Sequence, residues 1–377
     1  MLVVSAPTQD VLYRGIDLEL SWSERELPQV ERTKHVHGLH PYLGKFVPQL
    51  AAVFLDRCFA GRRCVLDPFM GSGTTLVEAA ARGMDAVGVD VSAFNCLLVR
   101  VKTSQEPPAS VERALRRTLA LAESLDSAGE EATPWLRRWY APRALAELLS
   151  YRKAMRSLAG AQAEAAAVVL SRAARSARLT THFDLDFPPR PVAAPYWCHK
   201  HRRTCAPVDE AAKFLRRYTE DTAARLRAFA AIRRPTRVAV VHADVRRGDA
   251  LPIRADGILT SPPYPGLIDY HEQHRYAYEL LGLEDRSAEE IGAATDGRSR
   301  RAQRRYVAAM AEALRRASEP LPGGAPVVIV VNDRHGLYPG ILELADLGLE
   351  ERITRHVNRR TGRRAGEYFE DVLVCRR

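Results

Sequence analysis

The chain has 377 residues, 46% hydrophobic and 27% charged, which excludes a disordered or fibrous protein and predicts two domains, or one large α/β domain with an insertion. No stretch approaches the roughly 18 uninterrupted apolar residues of a membrane span, residues 1–10 lack the order of a secretory signal, and six cysteines in apolar or basic surroundings form no disulfide framework, so a reducing cytoplasm is expected. Lys+Arg 56 against Asp+Glu 46 leaves +10; an arginine-dominated surface points to a polyanionic partner, although a GC-rich coding bias enriches the same residues.

In chain order, residues 63–90 read as strand, glycine turn, helix and strand. Cys64-Val65-Leu66 is a short apolar run ending in Asp67-Pro68. The turn Phe69-Met70-Gly71-Ser72-Gly73-Thr74-Thr75 follows, then a helix over 76–82 that Gly83 can close in the left-handed conformation. Ala86-Val87-Gly88-Val89 is the next strand, ending in Asp90. Short buried strands alternating with helices predict a parallel sheet with right-handed crossovers. From 104 to 235 the character changes. Residues 111–124 and 142–158 have helical periodicity, 183–207 are irregular and proline-rich, and 209–232 form a returning helix. The block reads as an inserted, mainly helical domain. The sheet resumes at 238–242 and continues at Gly257-Ile258-Leu259-Thr260. A helix over 299–318 leads to an apolar strand at 327–331, and a hairpin of 353–357 with 368–375 closes the sheet edge. The expected division is 1–103, 104–235 and 236–377.

The glycine turn alone is a weak signal, but its surroundings narrow it. It has too few glycines for a dinucleotide fingerprint and no Lys-Ser/Thr pair for a P-loop. Asp90, nineteen residues after Gly71, ends the second strand, where a carboxylate can accept both hydroxyls of a ribose. Asp67 ends the first, placed to meet the ammonium of an amino-acid moiety. An ammonium and a ribose without a diphosphate describe S-adenosylmethionine; the plain alternative is a tight turn with a capping Asp.

The run Asp67-Pro68-Phe69-Met70-Gly71-Ser72-Gly73-Thr74-Thr75 resembles motif I of the DNA amino-methyltransferases. His40-Pro41-Tyr42-Leu43-Gly44-Lys45-Phe46-Val47-Pro48 resembles the segment that precedes it in that family and covers the methionine part of the cofactor. Gly248-Asp249-Ala250 resembles its short acidic motif near the adenine ring. The resemblance implies a Rossmann-like, S-adenosylmethionine-dependent methyltransferase sheet with an antiparallel terminal hairpin. It also implies cofactor contacts from Tyr42, Phe46, Asp67, Pro68, Phe69, Gly71, Ser72, Gly73, Thr74, Asp90, Asp249 and Ala250.

Thr260-Ser261-Pro262-Pro263-Tyr264, directly after a strand, is the most specific signal. An exocyclic amine on a base is a poor nucleophile because its lone pair is delocalised into the ring. Acceptors placed at its protons can free that lone pair, and the Ser261 hydroxyl with the Pro262 carbonyl can supply them. Pro262 and Pro263 fix the backbone, and Tyr264 can stack on an extruded base. In motif IV of the same family, Ser-Pro-Pro-Tyr is found mainly in cytosine-N4 enzymes and Asp-Pro-Pro-Tyr mainly in adenine-N6 enzymes, so the resemblance implies cytosine N4. Cytosine-C5 chemistry needs a Pro-Cys thiolate, and no cysteine follows a proline. Adenine-N6 methylation, RNA guanine-N2 methylation and a catalytically dead DNA-binding scaffold are the alternatives. Asp269 and His271 are candidates to border the base pocket.

The motif order resembles the family class whose target-recognition region lies between the cofactor and catalytic motifs, so 104–235 would read double-stranded DNA. Within it Cys198, His199, His201 and Cys205 could bind zinc. Structural zinc sites usually separate two ligand pairs, whereas these four crowd one loop, so the favoured reading is a basic aromatic loop with Arg202 and Arg203 against DNA. Methyl transfer itself needs no metal. The resemblance further implies a prokaryotic restriction–modification setting with a companion endonuclease; a monomer, in the cytoplasm and at the nucleoid in use, is the default expectation, since hemimethylated palindromes can be modified one strand at a time.

Overall fold

Period-two burial builds the central sheet. In Pro326–Val331 every residue is buried, with Val327, Ile329 and Val331 in one layer and Val328 and Val330 in the other. This computed structural model describes residues 15–44, 46–182, 188, 190–248, 254–297, 299–357 and 368–377. The strands are β1 Cys64–Asp67, β2 Asp85–Asp90, β3 Tyr196–Cys198, β4 Arg203–Cys205, β5 Val238–His242, β6 Ile258–Thr260, β7 Pro326–Val331, β8 Gly348–His356 and β9 Phe369–Arg376. Seven of them form one sheet in the order β5-β2-β1-β6-β7-β9-β8, while β3 and β4 pair apart from it. Within the sheet β9 runs antiparallel to both neighbours and the other pairings are parallel. The expected α/β class and terminal hairpin are therefore present.

Besides a single turn at Gln29–Arg32, the helices α1 Pro48–Cys58, α2 Thr74–Arg82 and α3 Ala93–Thr103 precede the middle block. The block holds α4 Pro108–Ser124, α5 Pro134–Trp139, α6 Pro142–Ala154, α7 Gly160–Ala177 and α8 Ala212–Ala230. After β6 come α9 Tyr270–Gln273, α10 Arg275–Leu281, α11 Arg300–Ser318 and α12 Tyr338–Leu344. One face of the sheet packs on α11 and α12 through Met310, Leu314 and Ile341. The other packs on α1, α2 and α3 through Phe54, Leu76 and Val99. Gly83 ends α2 as expected, at φ 79° with its N–H turned back to the helix carbonyls.

Sequence periodicity does not single out α7. Its alanine-rich run is buried around most of its circumference, so no polar face marks its period. The helices of 104–235 share one hydrophobic cluster with Val36 and Leu39, with Phe94 and Leu98 of α3, and with Tyr276 and Leu280 of α10. Through α3 and α10 the block is continuous with the elements that flank the sheet. No helix among the described residues is long and apolar enough to cross a membrane.

Many of the block's arginines are spent on ion pairs. Arg116 pairs with Glu112 and Glu220, Arg143 with Glu147 and Glu210, and Arg216 with Glu123. Arg172 on α7 differs by being buried: it bonds Asp221 at 2.5 Å and Thr222 at 2.9 Å, and its guanidinium lies 4.3 Å from the Tyr218 ring centroid. Removing one partner of a buried pair strands a charge, whereas an exposed pair is worth little. Asp221→Ala should therefore cost about 3 kcal/mol in urea denaturation. Glu351→Ala, which breaks the half-exposed Arg57–Glu351 pair at 2.6 Å, should cost less than about 1 kcal/mol.

Candidate active site at the carboxyl ends of β1, β2 and β6

Three adjacent parallel strands end at one place. β1 lies between β2 and β6, so Asp67, Asp90 and Ser261 all emerge at the carboxyl edge, where open α/β sheets bind ligands. A cleft opens there, enclosing about 820 Å³ with its mouth included, a size typical of small-molecule sites.

Asp67 is buried, and its Oδ1 accepts from Thr260 Oγ1 at 2.6 Å and from the Phe69 N–H at 3.2 Å. Burial pushes its carboxyl up to about 6, against the hydrogen bonds from Thr260, Thr75 and Phe69 that pull it down. A second tie, from Thr75 Oγ1 to the Leu259 carbonyl at 3.1 Å, joins α2 to β6. The residues flanking the glycine turn and the strand that leads into Ser-Pro-Pro-Tyr are thus bonded directly, although about 190 residues separate them in sequence.

The turn itself is built by glycine. Gly73, at φ 77°, precedes α2, and a Cβ there would lie 2.7 Å from Val99 Cγ2. The Gly71 N–H donates to Asp90 Oδ2 at 2.9 Å, and Asp90 Oδ1 accepts from the Ser92 N–H at 2.8 Å. Asn95 Nδ2 lies 3.2 and 3.1 Å from the two Asp90 oxygens and 3.1 Å from the Tyr42 hydroxyl. Burial raises the Asp90 carboxyl above its ordinary value.

Of the residues expected at the cofactor, Tyr42, Phe46, Asp67, Pro68, Phe69, Gly71, Ser72, Thr74 and Asp90 line this cleft. Gly73 sits behind them at the start of α2, and Asp249 and Ala250 lie outside the described residues. From the catalytic motif, Ser261 and Pro263 reach the same cleft. Pro262 is buried behind them. Tyr264 is partly buried beside Tyr368 and Glu370, and burial raises its phenol well above the ordinary range.

Asp269 and His271 are not among the cleft's lining residues. Asp269 precedes α9, and its Oδ1 accepts from the N–H and hydroxyl of Thr295 at 3.2 and 3.3 Å. His271 is buried with Nδ1 bonded to Glu290, while its Nε2 accepts from the Arg286 N–H at 3.3 Å. Arg202 and Arg203 are exposed on the β3–β4 hairpin and are not among the cleft's lining residues.

Several residues that the sequence did not single out complete the site. Asn95 lies five residues after Asp90, in the first turn of α3, and that position was a readable signal. Tyr270 stacks on Tyr42 with centroids 5.8 Å apart. Asp244 and Glu290 reach the cleft from loops that carry no motif. Tyr306 donates its hydroxyl to the Pro263 carbonyl at 2.9 Å, pinning the motif from α11.

Three polar atoms in the wall are buried without a hydrogen-bond partner: Ser72 Oγ, Asn95 Oδ1 and Ser261 Oγ. Ser261 Oγ sits beside the Tyr264 phenol but makes no bond of normal geometry with it. Buried polar groups are rarely left unsatisfied. A ligand bearing hydroxyls or amino groups would satisfy them, as the amino acid and ribose of S-adenosylmethionine can, with the Asp67 carboxylate available to the ammonium.

Comparison with known proteins agrees with this geometry. Residues 9–100, which contain the glycine turn and both acidic strand ends, match a family model described as DNA methylase. The type II methyltransferase M.MjaII of Methanocaldococcus jannaschii is 34% identical over 442 aligned positions, covering 95% of this chain and 83% of that protein. The type II methyltransferase M.MvaI of Kocuria varians is 34% identical over 82 positions, 21% of this chain and 18% of that one. Among solved structures, an rRNA methyltransferase, aviRa, from Streptomyces viridochromogenes aligns at TM-score 0.36 and 16% identity, over 90% of this chain and 88% of that one. With M.MjaII 34% identical along nearly the whole chain, the chain belongs to the DNA methylase family of type II, S-adenosylmethionine-dependent methyltransferases.

Proposed function

We propose that this enzyme methylates the exocyclic N4 amine of a cytosine turned out of double-stranded DNA, within a short sequence read by residues 104–235 and alongside a companion endonuclease. The observation that carries the reading is the buried, unpartnered Ser261 Oγ in the wall of the cofactor cleft. When bound, S-adenosylmethionine supplies a methyl group made electrophilic by its sulfonium. The residues of the chain do the rest. Asp67 and Asp90 would hold the two polar ends of the cofactor, and Tyr42 with Phe46 would cover its apolar part. Ser261 Oγ and the Pro262 carbonyl would accept from the target amine, drawing its protons out of the ring plane and aiming the lone pair at the methyl. Tyr264 would stack on the extruded base, and the Tyr306 hydrogen bond holds the motif's backbone while the base enters. Serine rather than aspartate at 261 supports cytosine over adenine, since the Ser-Pro-Pro-Tyr form resembles that of cytosine-N4 enzymes.

Single-molecule sequencing of DNA from a methylation-free host expressing the chain should show an N4-methylcytosine mark in one short motif. Ser261→Ala should retain cofactor binding by calorimetry and lose about 10²–10³ in kcat, the usual cost of one preorganised hydrogen-bonding group. Tyr264→Ala should erase the mark. An adenine-N6 mark in the same experiment would overturn the base assignment while keeping the chemistry.

Asp67 gives a pH dependence with a definite sign. Its carboxyl sits near 6, above its unfolded value, so the group favours the folded state below about pH 4 and that contribution is lost as pH rises through 6. The free enzyme should therefore gain stability relative to Asp67→Asn between pH 7.5 and pH 5. Affinity for S-adenosylhomocysteine should move the other way, weakening below pH 6 as the carboxylate that meets the ammonium is protonated. Urea denaturation at the two pH values checks the first and calorimetric titration with S-adenosylhomocysteine the second, each with Asp67→Asn as the control.

A further inference from the structure

We propose that His182, Cys198, His201 and Cys205 form a closed structural zinc site that staples the β3–β4 hairpin to the chain emerging from α7. The hairpin carries three of the donors: Cys198 ends β3, His201 lies in the turn and Cys205 ends β4. The fourth comes from His182, five residues after the end of α7. The sequence groups Cys198, His199, His201 and Cys205 in one loop. In the fold His199 is not part of the cluster and His182 takes its place, which supplies the distant ligand that the loop lacked.

The four donor atoms lie within 4.8 Å of one another. Cys198 Sγ is 3.6 Å from His182 Nδ1 and 3.6 Å from His201 Nδ1, and Cys205 Sγ is 3.5 Å from His201 Nδ1. A tetrahedral ion with Zn–S of about 2.3 Å and Zn–N of about 2.05 Å requires S···N edges of about 3.55 Å. Three of the four S···N edges already stand at that separation, and two thiolates with two imidazoles are a zinc ligand set. Four protein ligands leave no open coordination position, so the ion is structural and takes no part in methyl transfer. Tyr196 adjoins the site: its hydroxyl lies 2.9 Å from His182 Nδ1 and accepts the His182 N–H at 3.0 Å. Metal binding takes the Nδ1 lone pair and leaves that backbone bond in place.

The hairpin needs such a staple. Its strands have three residues each, too short to hold alone in water. Trp197 is 59% exposed, so little apolar burial supports the hairpin. Two thiolates balance the ion's charge, leaving the exposed Lys200, Arg202 and Arg203 to give the tip its positive character. Arg202 takes the left-handed conformation in the turn, at φ 51°.

The test uses the full chain without a histidine tag, purified under reducing conditions from zinc-supplemented medium. Elemental analysis should find about one zinc per chain, the stoichiometry of a single four-ligand site. It should be retained in His199→Ala and lost in Cys198→Ser, in Cys205→Ser and, at least in part, in His182→Ala. Exchange of cobalt(II) into the unsubstituted chain reads the ligand set even where variants misfold: a tetrahedral ligand-field spectrum with two thiolate ligands is expected. The proposal is overturned by a chain that carries no more zinc than Cys198→Ser, or by a cobalt spectrum that is octahedral or unchanged in His182→Ala. A Cys198–Cys205 disulfide mapped in the protein as purified, under reducing conditions and with zinc supplied, would overturn it too.

Discussion

The hydrogen bond from Thr260 to the buried carboxyl of Asp67 is the point on which the site depends. Each group ends a strand, and the strands are neighbours only because the sheet brings β6 beside β1. The pairing is brief, with Leu66 opposite Ile258 and the Leu66 N–H on the Gly257 carbonyl at 2.9 Å. Side chains beyond the ladder, Thr260 on Asp67 and Thr75 on the Leu259 carbonyl, therefore share in fixing the alignment. A buried carboxylate costs free energy unless it is hydrogen-bonded or paired. The same burial keeps Asp67 in a low-dielectric place, where a cation is worth more to it than in water.

Asp90 shows the complementary solution. It is only partly buried at the cleft wall, and donors from Gly71, Ser92 and Asn95 surround it. One acid thus keeps part of its accepting capacity for a ligand while the other mainly shapes the turn. A ribose hydroxyl reaching Asp90 would share its oxygens with Asn95, whose own Oδ1 is buried without a partner. Asn95 is placed to offer an acceptor in exchange.

Much of this was readable in the residues. The strands showed as short apolar runs ending in acids, and the glycine turn announced a close backbone approach. Ser261 through Tyr264 followed a strand, and all of these fall where the spacing put them. What was not readable is what tertiary packing decides. The polar, exposed first half of β8 carries no strand pattern, and α7 carries no polar face. Asp269 and His271 follow the catalytic motif closely, yet a loop carboxylate, Glu290, and the Arg286 backbone take up both nitrogens of His271. His182 and Cys198 meet although sixteen residues separate them, and no local period reports such a meeting.

The shared hydrophobic cluster around Phe94, Leu98, Tyr276 and Leu280 bears on how such an enzyme can acquire a new target sequence. A recognition region joined by a hinge and a wet surface could be exchanged between relatives like a cassette. If residues 104–235 read the target, as proposed above, the seam runs inside a packed interior, where the block's helices meet the helix that follows Asp90 and the helix that begins at Arg275. A transplant cut at 104 and 235 would leave both acceptor helices facing foreign side chains. Changes of specificity in this lineage are accordingly expected to accumulate residue by residue at the rim, with the helices beneath held fixed.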